Sequence, residues 1–371
     1  MPLSPFEFES ILHQRGILSN DAQIRPLTRD DIETLVEQNG GSLGLLHLRG
    51  LDFTGADLRG LKLENAYLEG CDFKDVLLIP MVISYGKRLA ATDGAYPGIL
   101  KMWADGNPAE NTTVIHTSLK GSLLTQSNFS GCDLSWTNLS ETLLGSANFE
   151  NAILFGADLS DTHLRGTNFR NADLRNSSLR AAKLDGVRLE TTQLDGIEWG
   201  KNYKVQEELD KNFKIAEQIY RTLKRVHVNA GLANVAGEFH FRENSSRRKS
   251  LFLSGWRDLF YWVIACLMQL LFGYGERPWH IVIIGVVVVF VFSFIFLEPS
   301  PFDVSSAGLI EFFDRFPSAV YFSAASFTAL GYGEWVDVPT IRFKNLGVIE
   351  SFIGVSLLAL LLVTITRKWT R

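Results

Sequence analysis

From Leu119 to Trp199, every fifth residue is leucine, phenylalanine or tryptophan. The series runs Leu119, Leu124, Phe129, Leu134, Leu139, Leu144, Phe149, Leu154, Leu159, Leu164, Phe169, Leu174, Leu179, Leu184, Leu189, Leu194, Trp199. Two positions earlier stands a small or modest side chain, such as Ser127, Cys132, Thr137, Ala147, Ala152, Ala157, Ala172 or Ala182. A shorter block keeps the rhythm: Leu48, Phe53, Leu58, Leu63, Leu68, Phe73, Leu78. A period of five excludes a helix, because each helical residue turns about 100° and five steps miss the starting face by about 140°. In a strand, positions two apart share a face. Each block therefore offers one large and one small inward side chain, and the chain must turn after each block to restore them. That predicts a solenoid with a narrow core over residues 44–200.

The rest of the chain follows other periods. Residues 1–43 read as a partly helical cap, with Thr28-Arg29-Asp30-Asp31 opening a short helix. Ile79 to His116 breaks the rhythm with Pro80, Pro97 and Pro108, and residues 79–117 are expected to leave one coil as a loop. Residues 201–250 are a helical connector. Val205, Leu209, Phe213, Ala216, Ile219, Leu223 and Val226 mark one face of a helix to about Asn229. Gly231 to Gly237 reads as a break before a short helix carrying Glu238 to Glu243.

The last third is apolar. Trp279–Leu297 and Leu346–Thr366 are each long enough to cross a hydrocarbon core of about 30 Å. Leu259–Phe272 has about half that length and, with Trp256, Tyr261, Trp262 and Tyr274, predicts an interfacial helix over 251–275. Arg247-Arg248-Lys249 precede it, and Arg367, Lys368 and Arg371 follow the second span, while the loop between the spans is acid-rich. That charge bias puts both flanks, and the solenoid, in the cytoplasm. No cleaved signal peptide is expected at Met1 to Glu7.

The candidate chemistry lies between the spans, in Thr328-Ala329-Leu330-Gly331-Tyr332-Gly333-Glu334. Small, backbone-exposing residues at the tip of a loop returning into a membrane can offer carbonyl oxygens to a dehydrated cation. The preceding segment, 312–327, suits a short pore helix. A second copy, Gly273-Tyr274-Gly275, precedes the first span and reads as a turn.

Two family resemblances follow from these residues. The pore unit, 276–371, resembles that of two-span potassium channels, whose filters read roughly Thr-Val/Ile-Gly-Tyr-Gly-Asp. The repeat resembles pentapeptide-repeat proteins, and Tyr220 to Lys224 with the later helix resembles a module of bacterial pentapeptide-channel fusions. Together they imply a right-handed quadrilateral β-helix and an α-helical two-span pore domain with a re-entrant pore helix. They imply a homotetramer in a bacterial inner membrane, with K+ as the permeant ion and an unidentified cytoplasmic regulator or scaffold role for the solenoid. The carbonyls of Thr328, Ala329, Leu330, Gly331 and Tyr332 would replace the hydration shell, with Gly331 and Gly333 permitting the backbone angles that aim them inward. Glu334, Glu350, Tyr321 and Phe322 would support the filter, Glu350 through Ser323, Ser326 or Arg342. Gly354 lies near the family's gating hinge; close helix packing is the other reading. Ala329 stands where the family has threonine, so one hydroxyl ligand per subunit is lost and weaker cation selectivity is the alternative.

Composition removes other classes. A net charge of −5 points to no nucleic-acid partner. A DNA-mimicking topoisomerase binder needs an acidic solenoid, and Arg165, Arg170, Arg175 and Arg180 interrupt the acidic face. Four repeats per coil would stack Asp185, Glu190 and Asp195 over the first three arginines, with Glu150 on the other side of Arg170, as a solvated ion-pair ladder. The seven histidines are scattered and form no nucleophile–base pair, so no enzyme is expected. Glu238, His240 and Glu243 have poor metal-ligand spacing and read as a solvated helix face. Cys71, Cys132 and Cys266 read as buried, reduced thiols.

Overall fold

The computed structural model describes residues 3, 5–19, 22–23, 25–39, 48–84, 87–89, 112–252, 256–296, 306–329 and 341–369. The chain divides into two compact units, residues 1–247 and 248–371.

In the first unit the five-residue blocks form the walls of a solenoid. Parallel bridges join residues 20 apart: Leu123 with Leu143, Asn128 with Asn148, Asp133 with Ile153, Asn138 with Asp158. Four repeats therefore make one coil. Up to the last coil the large core residues donate their amides to the next coil, as Leu124 does to the Leu143 carbonyl at 2.8 Å and Phe149 to Asn168 at 2.7 Å. Large and small partners are both buried, as Leu154 and Ala152 show. Phe53, Phe73, Phe129, Phe149 and Phe169 stack in one column, with neighbouring centroids between 4.7 and 5.1 Å apart. That is the spacing of adjacent strands, so the ladder of amides and the ladder of rings share one repeat. Two residues after a core position the backbone turns a corner in the left-handed region, often on glycine but also on Asn151, Asn171 and Ala181.

The rhythm break is an excursion with structure of its own. Lys62 pairs with Ser118 and Leu77 with Asp133, 56 positions apart instead of 20, so the coil closes across it. Its base is an antiparallel sheet rather than plain loop. Strands β3 (Met81–Ser84), β4 (Lys87–Arg88) and β5 (Thr112–Ile115) are ordered β4-β3-β5; β1 (Leu18–Ser19) and β2 (Ala22–Gln23) form a hairpin near the N-terminus. The β-branched runs on either side of the prolines favour pairing with each other. Val82 and Ile79 pack with Leu89, Val114 and Trp136. Residues 90–111 of the insertion lie outside the described residues.

Both ends of the solenoid carry polar caps. Helices α1 (Pro5–Gln14) and α2 (Arg29–Gln38) add Phe8, Leu12, Ile32 and Leu35 to the solenoid core. Thr28 and Asp31 form a capping box, with the Thr28 amide 2.8 Å from Asp31 Oδ2. Gln23 imitates a missing strand: its amide donates to the Asp52 carbonyl at 2.9 Å and accepts from the Asp52 amide at 2.7 Å. At the other end Glu207 accepts from the Leu184 amide at 2.7 Å.

The first of the two helices expected in the connector is divided. The connector comprises α3 (Gln206–Leu209), α4 (Phe213–Asn229) and α5 (Ala233–Phe252). Lys211 in the left-handed region breaks the first two apart, which turns Leu209 outward, 54% exposed, instead of into the predicted face. The second break is shorter than expected, and Gly237 lies inside α5.

The second unit contains α6 (Trp256–Phe272), a turn at Gly273–Gly275, α7 (Trp279–Phe296), α8 (Ser306–Phe327) and α9 (Ile341–Trp369). The described residues hold two helices long and apolar enough to cross a membrane, with mean hydropathy 2.7 over Trp279–Phe296 and 2.4 over Asn345–Thr366. Helix α8 begins six residues before the segment expected from sequence and carries Pro317 in its interior.

Candidate ion-conduction site

The site is built around the C-terminal end of α8. The Thr328 amide donates to Ala324 O at 3.0 Å, and its hydroxyl donates to the same carbonyl at 2.7 Å. The Ala329 amide returns to Ser326 O at 3.0 Å, and its φ of 54° turns the chain off the helix. Leu330, Gly331, Tyr332, Gly333 and Glu334 lie outside the described residues.

Helix α9 clamps this helix end at three successive points. The buried Glu350 carboxyl and the Ser323 hydroxyl are in hydrogen-bond contact. One residue on, Ser351 Oγ donates to Ser326 O at 2.6 Å. One turn on, Gly354 faces the Phe327 carbonyl so closely that an added Cβ would lie 1.9 Å from that oxygen. This is the geometry of close packing, the second of the two readings of Gly354. Helix α7 closes the opposite side. Ser323 Oγ is 2.8 Å from Val289 O, and a Cβ at Gly285 would meet the Phe327 ring at 3.1 Å. Ile281, Phe327 and Leu357 form the buried apolar centre of the three helices.

Ser323 has one proton and two oxygen neighbours, Val289 O and Glu350 Oε1. A carboxylate and a carbonyl cannot both be served by it. The hydroxyl therefore stands between the Glu350 carboxyl on one side and the Val289 carbonyl on the other. Glu350 Oε2 is buried and has no hydrogen-bond partner among the described residues. Of its expected partners the structure brings Ser323 to Glu350; the Ser326 hydroxyl donates to Phe322 O at 2.9 Å instead, and the Arg342 side chain lies outside the described ones. The expected aromatic pair separates. Phe322 is buried edge-on against Phe296 at 4.6 Å, whereas Tyr321 is 48% exposed on the outside of the unit. Adjacent helix positions point about 100° apart, which separates them. Sequence reading missed Ser351, Gly285 and the Val289 carbonyl. Ser351 is recoverable from its place beside Glu350; Gly285, in a run of valines, carries no local signal.

The connector holds a second polar cluster. The expected solvated face at 238–243 is instead largely interior: Phe239, Phe241, Arg242 and Glu243 are buried. The helix inserts between Trp199, His227 and Tyr220, whose rings all approach Phe239. Burial alone would raise the Glu243 pKa, but hydrogen bonds from His240, Lys224 and Arg221 outweigh it and hold the carboxyl down at about 2. Tyr220 donates to Glu208 Oε2 at 2.6 Å, and burial, then that carboxylate, push its phenol up. Burial lowers the His227 pKa; its Nδ1 lies 2.7 Å from Leu223 O and its Nε2 has no partner among the described residues. No group of three metal-ligating side chains occurs among the described residues.

On the solenoid, Arg165 pairs with Asp185 and Arg170 with Glu190, each at 3.3 Å and as stacked. Arg175 departs from the expected ladder. It pairs with Asp173 at 2.7 Å in its own repeat rather than with Asp195, because a residue two positions away reaches the guanidinium fork with both oxygens. Glu150 accepts from Asn168 at 3.4 Å. Burial raises both Cys71 and Cys132 to about 12, so neither is a ready nucleophile.

Comparison with known proteins adds to this geometry. Residues 112–199 match the family model of a pentapeptide repeat region, residues 46–75 that of pentapeptide repeats, and residues 279–371 that of an ion channel. Solved structures similar to this chain include a pentapeptide-repeat protein of the Arabidopsis thaliana thylakoid lumen, 32% identical, covering 22% of this chain and 56% of that one, TM-score 0.21. Another is HetL, a pentapeptide-repeat protein involved in heterocyst differentiation regulation from the cyanobacterium Nostoc: 26% identity, 43% and 57% coverage, TM-score 0.26. A third is Rfr23 from the cyanobacterium Cyanothece: 26% identity, 39% and 90% coverage, TM-score 0.18. The chain spans little more than half the length of the first two. No curated protein matches. The chain joins a pentapeptide-repeat region to an ion-channel domain.

Proposed function

We propose that this chain forms a homotetrameric potassium channel. Four copies of the loop after α8 would surround one axis, and the carbonyls of Thr328, Ala329, Leu330, Gly331 and Tyr332 would take the place of water around K+. The observation that carries the reading is the clamp on α8. Two apolar helices of spanning length hold the C-terminal end of a third, one through the Ser326 carbonyl and the other through the Ser323 hydroxyl, and the filter-like sequence starts where that helix ends. The match of residues 279–371 to an ion channel supports it. The carboxylate-closed motif at Glu334 and the re-entrant course of α8 belong to the same proposal, as do the right-handed quadrilateral form of the solenoid and its cytoplasmic regulatory or scaffold role. So do a bacterial inner membrane and two cytoplasmic termini.

Ala329 favours a second reading, a weakly selective cation channel, since the methyl leaves one hydroxyl ligand missing per subunit. Reconstituted protein in a potassium/sodium gradient decides between the two. A reversal potential at the potassium equilibrium value supports selectivity; one near zero supports the second reading; no conductance from properly assembled protein refutes both. In the selective case Ala329→Thr leaves the reversal potential unchanged, and in the weakly selective case it moves it toward potassium.

A further inference from the structure

We propose that the open edge of the last coil binds a short extended peptide spelled like the repeat itself: a small residue, any residue, then a large apolar one. The coils below offer the next coil a core amide and the carbonyl two positions earlier. In the coil beneath, Phe169 N donates to Arg188 O at 2.8 Å, and Arg188 N donates to Thr167 O at 2.9 Å. In the last coil the counterparts on this wall are Leu189 N and Val187 O, and neither has a hydrogen-bond partner among the described residues. Elsewhere the fold answers such an edge with groups from outside the repeat. Gln23 serves both backbone groups of Asp52 at the first coil, and Glu207 takes the Leu184 amide, on the neighbouring wall of the last, at 2.7 Å. Among the described residues no such group reaches the wall of Val187 and Leu189.

The surroundings select a single strand. A cleft of about 200 Å³ opens between Leu184, Val187 and Leu189 of the last coil and Ile219, Thr222 and Leu223 of α4, all within the first unit. It exceeds a cavity of about 150 Å³ that admits benzene, so an apolar side chain has room in it. Ile219 and Leu223 themselves pack into the solenoid core, so α4 lies across the open end and bars a second solenoid from stacking there. One extended residue presents an N–H and a C=O on the same side, which serves the Val187 carbonyl and the Leu189 amide together as the next rung. A carboxylate would leave the carbonyl without a donor, and an ammonium would leave the amide without an acceptor. The two neighbours of that residue then point inward, over Val187 and Leu189. This column carries a small or modest residue and a large one in the coils beneath, Ala147 with Phe149 and Thr167 with Phe169, all buried, and that sets the spelling.

The test uses the full-length protein in detergent and an acetylated alanyl-alanyl-leucine amide, with binding followed by saturation-transfer NMR. Saturable binding is expected. Replacing the middle alanine by lactic acid turns the N–H meant for Val187 O into an ester oxygen, and is expected to weaken binding about fivefold, as for one neutral hydrogen bond. The reversed peptide, leucyl-alanyl-alanine, is expected to bind more weakly than the first. Thr222→Phe, which fills the cleft, is expected to abolish saturable binding, and Gln218→Trp, on the exposed rim of the same cleft, to weaken it with an unchanged circular dichroism spectrum. Equal affinity for amide and ester, equal affinity for the reversed peptide, or unchanged binding in a well-folded Thr222→Phe overturns the proposal. Absence of saturable binding to wild type overturns it as well, and a smaller assembly of Thr222→Phe on size-exclusion chromatography would then give the edge to a segment of a second copy.

Discussion

The two units bury opposite kinds of side chain. In the solenoid, leucine, phenylalanine and alanine point inward and the outside is polar: Arg165 against Asp185, Arg170 against Glu190. In the second unit Ser293, Ser323 and Glu350 are fully buried, while Phe352, Val348 and Leu362 are more than half exposed. One unit completes its core within a single chain. The other hides hydrogen-bonding groups among helices and turns hydrophobic side chains outward, which is stable only against lipid or further copies of itself. Energy in the solenoid is spread over many equivalent layers. In the second unit it is concentrated in a few contacts at the end of α8. The expected responses to mutation differ accordingly.

The sharpest contrast is between two glycines. At Gly354 a Cβ would lie 1.9 Å from Phe327 O, and backbone cannot yield cheaply. Gly354→Ala is expected to abolish conductance and to lower the yield of assembled protein on size-exclusion chromatography. At Gly145 in the solenoid the nearest atom to a new Cβ is a methyl group at 3.6 Å. Gly145→Ala is expected to leave both properties unchanged. Equal tolerance at the two sites would erase the distinction drawn between distributed and concentrated packing.

Within the solenoid the largest effect comes from the ring column. Phe149 stacks on Phe129 at 4.8 Å and on Phe169 at 5.1 Å, with no exposed surface. Phe149→Ala is expected to cost about 3–5 kcal/mol, read from chemical unfolding followed by circular dichroism. Residual conductance in bilayers, measured below the new unfolding midpoint, is expected to persist.

That difference explains what could be read from the sequence. A repeat prints its geometry many times, so the stacking of residues 20 apart and the buried alanines were legible from one period. Arg175 escaped because a local partner, Asp173, competes with the stacked one, and the period says nothing of side-chain reach. The connector escaped further: Lys211 breaks a smooth apolar face with no proline or glycine to mark it. In the second unit the two apolar helices of spanning length and the link from Glu350 to Ser323 were legible, since a carboxyl in an apolar helix requires a partner. The position of Tyr321 was not, because neighbouring aromatic residues look alike in sequence while a helix turns them apart.

Glu350 tests the concentrated side more gently. If it donates to Ser323, the neutral isostere serves as well. Glu350→Gln is expected to conduct like wild type, and Glu350→Ala, which removes one of the two neighbours of the buried Ser323 hydroxyl, to lose about 1–3 kcal/mol of thermal stability along with most conductance. A dead Glu350→Gln with an active Glu350→Asp would show that the ionised form is required.

Next in size is a pH effect on the connector. His227 has its folded pKa lowered from 6.5 by burial, so the unfolded chain binds the proton more readily. Stability is complete above pH 6.5 and falls as pH drops below it. Glu243, lowered from 4.5 to about 2, adds a second loss that begins only below 4.5. Melting temperature against pH is expected to show two descending steps, and His227→Leu to remove the upper one alone. A single step near 4.5 in the wild type would place the His227 imidazole outside the stability of this unit.

The smallest effect lies at a solenoid corner and separates two terms that usually act together. Ala181 holds φ at 55°, a region an alanine occupies at a cost of about 1 kcal/mol, while Asn151, Asn171 and Asn176 occupy it at equivalent corners. Asparagine tolerates this conformation by bonding locally and does not loosen the unfolded chain. Glycine tolerates it too, but gives back about 0.4–1 kcal/mol through the freedom it adds to the unfolded state. Ala181→Asn is therefore expected to stabilise by about 0.5–1 kcal/mol and Ala181→Gly to be nearly neutral, both read from urea midpoints. If glycine stabilised more than asparagine, relief of the corner would dominate and the unfolded chain would matter less than supposed. If neither moved the midpoint, the corners of the solenoid would carry no strain for sequence to relieve, and its stability would reside in the stacked core alone.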